Sequence, residues 1–253
     1  MKGKITFIQI LLIIVLLLSG FEYFKDRMDK SESHNDFQKL QEEVSERSDK
    51  TDIIPKSEKD DMGMLIKYKD LYNRNNDLAG WVKIDGTNID YPVMHTPQSN
   101  AYYLHRDINR EYSSAGTPVL DFQCDTVNMS DNMIVYAHNM KNGTMFHDLL
   151  NYSDEKYYSD HKIINFDTLY EQGRYEVFSV IVTKVGSADE FKYYEFVDFK
   201  DKDEFNKFIS ECKRRTLINT GIEPLYEDRI LTISTCSYNT DNERFVVFAR
   251  KIS

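Results

Sequence analysis

A series of short apolar segments constrains the fold of this chain more than any other feature. The segments are rich in β-branched and aromatic residues and are bounded by turn formers such as Asp85-Gly86 and Gln172-Gly173, which is typical of strands. Eight strands are predicted, at Trp81–Ile84, Asn88–Met94, Thr117–Phe122, Asn132–His138, Ile163–Phe166, Tyr175–Val185, Arg229–Cys236 and Arg244–Ile252. Many short strands with few helices between them predict a mostly β fold, a closed antiparallel barrel of eight strands.

Helical spacing is confined to a few stretches. Apolar residues recur every three or four positions from Met62 to Leu78, which predicts a helical region ahead of the barrel. A short helix is predicted over Thr144–Tyr152. The stretch Asp201–Thr216 has an apolar face at helical spacing, so a helix is predicted as an insertion between the late strands.

Composition excludes several classes of function. The net charge of the 253-residue chain is −10, and an acidic chain does not attract the phosphate backbone of nucleic acid. There are three cysteines and no C-x-x-C pair, so neither a disulfide framework nor a structural zinc site is expected. No acidic cluster indicates a metal site, and no cofactor is expected.

The N-terminal segment predicts where in the cell the protein is found. The apolar run Ile5–Leu18 follows Lys2 and Lys4, which favours a helix that spans the membrane once, with its N-terminus in the cytoplasm. A cleaved signal peptide is the alternative, although the residues after the run are a weak cleavage site. The chain is thus divided into a membrane anchor (1–24), a charged linker (25–61) and a main domain (62–253) that lies outside the cell, at the cell membrane.

The last two predicted strands carry a candidate pair of reactive groups. Cys236 ends one strand and Arg244 begins the next, so antiparallel pairing places the thiol and the guanidinium close together. A reactive cysteine needs an electropositive, partly exposed environment, which Arg244 can supply. The alternatives are a buried Cys236, as expected for Cys124 and Cys212, and a salt bridge from Arg244 to Glu243 or Asp241.

His138 is the third candidate. It ends an apolar strand where the chain enters a loop that contains Gly143, and strand ends often position catalytic side chains. By position alone, an ordinary structural role for this histidine stays open.

Together these segments resemble the sortases, and class B in particular. The family signature T-L-x-T-C is matched by Thr232-Ile233-Ser234-Thr235-Cys236, the family arginine by Arg244 within Glu243–Val247, and the family histidine by His138 within Tyr136–Phe146. Further likenesses are found at Asp90–Val93, at Tyr103-Leu104 with Gly116–Phe122, and in the late helix, Phe205–Asn219. The resemblance covers residues 62–253 and implies a barrel of the sortase type.

The resemblance also implies a mechanism and partners. Cys236 would attack the carbonyl carbon of a threonine in a sorting signal, of NPxTx-like or LPxTG-like type, on a secreted protein. His138 would exchange protons with the leaving and incoming amines, and Arg244 would bind the oxyanion or the signal backbone. The acceptor would be an amine of a cell-wall peptide precursor.

Substrate-binding residues follow from the same resemblance. The positions that match the peptide groove of the family, or lie beside the nucleophile, are Asn100, Leu104, Tyr194, Ser234 and Thr235. Ordinary packing is the alternative role for Leu104 and Tyr194. The family implies no metal and no cofactor.

Two other classes of function stay open at this stage. A secreted cysteine protease would hydrolyse the same bond without transfer, although a papain-like enzyme has its cysteine before its histidine, and here His138 precedes Cys236. A non-enzymatic surface protein would carry the three residues by chance. Incorporation of an amine, and labelling of Cys236 by a peptide that bears a threonine ketone, would separate these possibilities.

Overall fold

A closed barrel forms the body of the protein in a computed structural model that describes residues 7–50, 59–236 and 242–253. Its strands are β1 (Leu78–Lys83), β2 (Asp90–Met94), β3 (Val119–Leu120), β4 (Asn132–Tyr136), β5 (Ile163–Thr168), β6 (Arg174–Lys184), β7 (Ile230–Cys236) and β8 (Glu243–Lys251). Around the barrel they follow the order β1-β2-β3-β4-β7-β8-β6-β5, and β5 pairs with β1 to close it. The predicted mostly β, closed eight-stranded barrel is therefore confirmed.

The expectation that every strand pair is antiparallel is wrong. β2 pairs with β3 in parallel, and β4 pairs with β7 in parallel from Asn132↔Ile230 to Tyr136↔Ser234. Parallel neighbours need a long crossover between them, and the chain forms β5 and β6 before it returns as β7. Alternation along a strand indicates which residues share a face, but it does not indicate which strand lies alongside.

Four α-helices accompany the barrel in the described residues: α1 (Phe7–Lys50), α2 (Lys69–Arg74), α3 (Glu155–Asp160) and α4 (Lys202–Arg215). Short 3-10 helices lie at Ile66–Tyr68, Tyr103–His105, His147–Ser153 and Tyr193–Glu195. The helix predicted over Met62–Leu78 is thus limited to one 3-10 turn and α2, because Leu78 already belongs to β1. The stretch Thr144–Tyr152 is a 3-10 helix over its second half.

The inserted helix α4 lies between β6 and β7, as predicted. The side chain of Asp201 accepts a hydrogen bond from the Glu204 N–H at 2.9 Å, which satisfies a free donor at the helix start. Acidic residues in its first turn and three basic residues in its last turn suit the helix dipole. Its apolar face, which includes Phe205 and Phe208, is buried.

The stretch predicted as a charged linker contains the second half of α1, and this part of α1 packs on the barrel. Phe37 and Leu40 are 6% and 3% exposed, and the Phe37 ring meets the Tyr91 ring edge to face, with centroids 5.0 Å apart. The Gln41 side chain donates to the Asp90 carbonyl at 2.7 Å. A narrow apolar stripe is enough to seat an otherwise charged helix. Residues 51–58 of the predicted linker lie outside the described residues.

The predicted location at the cell membrane, through one spanning helix in residues 1–24, is wrong. Among the residues that the structure describes, no helix is long and apolar enough to cross a membrane. Residues 1–6 lie outside the described residues.

Candidate active site

A cleft of about 400 Å³ opens where β4, β7 and β8 meet at one end of the barrel. The parallel alignment of β4 with β7 brings the C-terminal ends of both strands to this edge, and β8 begins there because it runs antiparallel to β7. The residues predicted from the sequence that line this cleft are Asn100, Leu104, His138, Tyr194, Ser234, Thr235, Cys236 and Arg244. Segments far apart in the chain therefore meet in one site.

Cys236 and Arg244 are direct cross-strand partners. Cys236 is the last residue of β7 and its register partner in β8 is Arg244, as the alternation of the two strands predicts. Cys236 is exposed, whereas Cys124 and Cys212 are buried. The Arg244 guanidinium donates to the main-chain oxygen of Glu243 at 3.2 Å, so this bond goes to the backbone and not to the Glu243 carboxylate. Asp241 and the other residues between the two strands, 237–241, lie outside the described residues.

The imidazole of His138 has a defined partner. Its Nε2 lies 2.8 Å from the Leu104 carbonyl oxygen, and since a carbonyl only accepts, Nε2 must carry a proton. The His105 ring packs beside it with centroids 5.2 Å apart. Burial lowers the pKa of His138 below 6.5, and His105 adds to this lowering, while the bond to Leu104 opposes it. His138 is therefore mainly neutral at pH 7.

We expect an NMR titration of the His138 ring to give a midpoint below 6.5, because burial penalises the imidazolium. The charged form should accordingly appear only as the pH falls below that value. In the variant His105→Gln the midpoint should rise, since a neighbour that also becomes positive has been removed. A midpoint at or above 6.5 in the unmodified protein would contradict this account of the site.

One wall of the cleft is held in place by the carboxylate of Asp121, which was not predicted from the sequence. Asp121 is 2% exposed and accepts hydrogen bonds from the Asn100 amide and from the Tyr136 hydroxyl, both at 2.9 Å. The Asn100 side-chain oxygen accepts from the Phe122 N–H at 2.7 Å. The amide nitrogen and the amide oxygen of Asn100 are therefore both hydrogen-bonded. The one signal in the sequence was a charged residue within the apolar segment Thr117–Phe122.

The opposite wall carries two consecutive tyrosines with different roles. Tyr194, selected from the sequence, is half-buried and donates to the Glu190 carboxylate at 2.8 Å. Its neighbour Tyr193 is 2% exposed and shares a hydrogen bond of 2.7 Å with the Ser234 hydroxyl. Burial raises the pKa of Tyr193 to about 12, so it stays a neutral phenol. Successive residues of a 3-10 helix point about 120° apart, which explains why only Tyr193 reaches β7.

The hydroxyl side chains that precede Cys236 along β7 are buried. Thr232 and Ser234 are 0% and 1% exposed, and Thr232 donates to the Asn132 side-chain oxygen at 2.7 Å. Thr235 donates to the Ala137 carbonyl at 2.8 Å. Every residue of β7 before Cys236 is buried, so both faces of the strand are covered. These hydroxyls are therefore already paired within the protein.

Comparisons with known proteins agree with this architecture. Residues 82–252 match the family model described as the sortase domain. Sortase B of Staphylococcus aureus is 30% identical over 254 residues, which covers 100% of this chain and 98% of that protein. Sortase B of Listeria monocytogenes is 31% identical over 178 residues and covers 70% of each chain.

Solved structures give the same result. A Staphylococcus aureus sortase B–substrate complex superimposes with a TM-score of 0.78 at 31% identity, and covers 89% of this chain and 99% of that one. Sortase B from Bacillus anthracis in complex with AAEK1 gives a TM-score of 0.75 at 29% identity, over 89% and 99% of the two chains. The chain belongs to the sortase family.

Its relatives place the chain in class B. It is a cysteine transpeptidase of cell-wall anchoring, which acts on sorting-signal peptides and cell-wall precursors. This confirms the predicted enzyme, a cysteine transpeptidase of the sortase family.

Proposed function

We propose that Cys236, His138 and Arg244 carry out the transpeptidation, on a sorting signal of NPxTx-like or LPxTG-like type. The observation that supports this most is the cleft itself. The exposed thiol of Cys236 lies opposite Arg244 in the β7–β8 pair, and His138 follows the adjacent strand end. A nucleophile, a proton carrier and a fixed positive charge are the groups that acyl transfer through a thioester needs.

In the first half-reaction the Cys236 thiolate attacks the carbonyl carbon of the signal threonine and forms a C–S bond. Negative charge develops on the carbonyl oxygen, and the Arg244 guanidinium stabilises it or holds the peptide backbone. When the C–N bond breaks, His138 donates a proton to the leaving amine. The product is a thioacyl enzyme and a released C-terminal peptide.

In the second half-reaction an amine of the cell-wall precursor attacks the thioacyl carbon. His138, now neutral, accepts the proton of this amine. The C–S bond breaks, and the thiolate of Cys236 leaves as the new amide bond forms. The enzyme returns to its starting state without net oxidation or reduction.

The His138 imidazole has one ring nitrogen available for proton exchange with the two amines. Nε2 of His138 is engaged with the Leu104 carbonyl, which leaves Nδ1 to give and take the proton. Because burial lowers the pKa of His138, the imidazolium is the minor form at pH 7. That minor form is a stronger acid than a solvated histidine, which favours proton transfer to the leaving amine.

Substrate contacts are proposed for the remaining predicted residues. Leu104 and Tyr194 offer half-buried apolar surface on two sides of the cleft, which suits apolar side chains of the signal. Asn100 is oriented by Asp121 and Phe122. Ser234 and Thr235 line the floor of the cleft, and since both hydroxyls are bonded internally, their contribution is to its shape.

A panel of fluorogenic peptides tests the proposed specificity and transfer. The full-length protein is mixed with NPxTx-type and LPxTG-type peptides, with and without triglycine as an amine acceptor, and products are identified by mass spectrometry. We expect cleavage directly after threonine, and a threonyl–triglycine product when the acceptor is present. Hydrolysis alone at saturating triglycine, or cleavage at another bond, would contradict the proposal.

A further inference from the structure

The parallel β4–β7 ladder is extended beyond its last paired residues by one further backbone bond and then by side chains. The final register pair is Tyr136↔Ser234. The Ala137 N–H then donates to the Ser234 carbonyl at 3.3 Å, and the Thr235 hydroxyl donates to the Ala137 carbonyl at 2.8 Å. These bonds hold the residue before His138 against the two residues before Cys236.

Asn139 supplies the next link on the far side of His138. Its amide nitrogen donates to the main-chain oxygen of Cys236 at 3.0 Å, and the residue is only 9% exposed. Cys236 is the last residue of β7, so this bond holds the final carbonyl of the strand. The residues that precede and follow His138 are therefore both tied to the segment that carries the thiol.

His147 determines which way the Asn139 amide faces. The Nδ1 atom of His147 lies 2.9 Å from the Asn139 side-chain oxygen, and an amide oxygen only accepts. His147 therefore donates, and the amide nitrogen is directed to Cys236. His147 begins the 3-10 helix His147–Ser153, so its ring is held by an element outside the cleft.

We propose that Asn139, oriented by His147, is a positioning residue that sets the distance between the His138 imidazole and the Cys236 thiol. This inference rests on the proposed roles of those two residues. Neither Asn139 nor His147 lines the cleft at Cys236, so their effect on the reaction passes through the backbone that they hold. Proton transfer requires the thiol, the imidazole and the scissile bond to be aligned, and small displacements of such groups reduce the rate strongly.

The experiment compares full-length variants with the fluorogenic peptide that the unmodified protein cleaves fastest. Asn139→Asp keeps the shape and the acceptor for His147, but an ionised carboxylate has no N–H to donate to Cys236. We expect kcat to fall by about tenfold to a hundredfold, with KM within about twofold of the unmodified value. Alkylation of Cys236 by iodoacetamide, which reacts with the thiolate, verifies that the sulfur stays accessible in the variant.

Two replacements of His147 test the orienting bond. In His147→Asn the side-chain amide nitrogen lies near the position of Nδ1, so the hydrogen bond to the Asn139 oxygen is kept. In His147→Gln the amide nitrogen lies near the position of Nε2 instead, so that bond is lost. We expect His147→Asn to retain kcat within about threefold and His147→Gln to lose about as much as Asn139→Asp. Asn142→Ala is the matched control, since Asn142 is exposed in the same loop and its side-chain oxygen accepts local bonds from Thr144.

Three results would overturn the inference: an unchanged kcat in Asn139→Asp, a loss confined to KM, or an equal loss in Asn142→Ala. Should Asn139→Asp fail to fold, the contrast between His147→Asn and His147→Gln decides the question. Cys236→Ala separates this inference from the proposed function. An inactive Cys236→Ala with a fully active Asn139→Asp rejects the positioning role alone, whereas an active Cys236→Ala rejects the proposed mechanism.

Discussion

Replacement of Cys236 by alanine is expected to abolish turnover while the fold persists. The thiol is the group that would form the thioacyl bond, and loss of a covalent nucleophile reduces kcat by at least about 10⁴-fold. Cys236 is exposed at a strand end, so its removal leaves no cavity in the core. The measurement is peptide cleavage and amine transfer, together with the thermal unfolding temperature of each protein.

The two other cysteines provide the controls. Burial raises the pKa of the Cys124 thiol to about 12 and that of Cys212 well above its ordinary value, so neither supplies thiolate at pH 7. Cys124→Ala and Cys212→Ser should therefore retain substantial kcat, although both remove buried groups and lower the unfolding temperature. Equal loss of turnover in all three variants would reject Cys236 as the nucleophile.

Arg244→Ala is expected to reduce kcat/KM by about a hundredfold, or roughly 3 kcal/mol of transition-state stabilisation. The guanidinium faces Cys236 across the β7–β8 pair, where it can bind the developing oxyanion or the signal backbone. A surface salt bridge, in contrast, would contribute only about 0–1 kcal/mol to stability and nothing to the reaction. An activity loss with an unchanged unfolding temperature therefore indicates the catalytic role.

Arg244→Lys refines this test. Lysine keeps the positive charge but lacks the planar, two-pronged donor geometry of the guanidinium, so it should restore activity poorly. Near-normal turnover in Arg244→Ala would contradict the catalytic role and indicate that Arg244 is a structural residue. Full rescue by lysine would instead indicate that charge alone is needed and that the planar geometry is not.

The barrel shows which features of the fold can be predicted from local sequence patterns. The alternation and turn signals correctly predicted eight strands and a closed barrel. They did not predict the parallel pairs, because the hydrogen-bonded neighbour of β4 is β7, three strands later in the chain. The same limit applies to α1, whose apolar stripe is visible in the sequence but whose partner Tyr91 is brought to it only by the fold.

The membrane anchor is a feature that the sequence predicted and the structure does not contain in its described residues. It was predicted from a run of apolar residues near the N-terminus, whereas no helix of the described residues is long and apolar enough to cross a bilayer. The two adjacent tyrosines on one wall of the cleft show another limit of sequence reasoning. Both are tyrosines at adjacent positions, and only the direction of each side chain in the 3-10 helix decides that Tyr193 meets Ser234.

By itself the sequence determined the pairing of Cys236 with Arg244. The two strands are consecutive and joined by a short turn, so antiparallel register follows from local geometry. The resemblance to the sortases had already grouped His138 with them, but only the tertiary structure decided how His138 reaches them, because the parallel contact of β4 with β7 depends on the closure of the whole barrel. It also decided the bonds from Asn139, Asp121 and Tyr193 that hold the cleft. Such bonds connect residues far apart in the chain, and no spacing along a sequence specifies them.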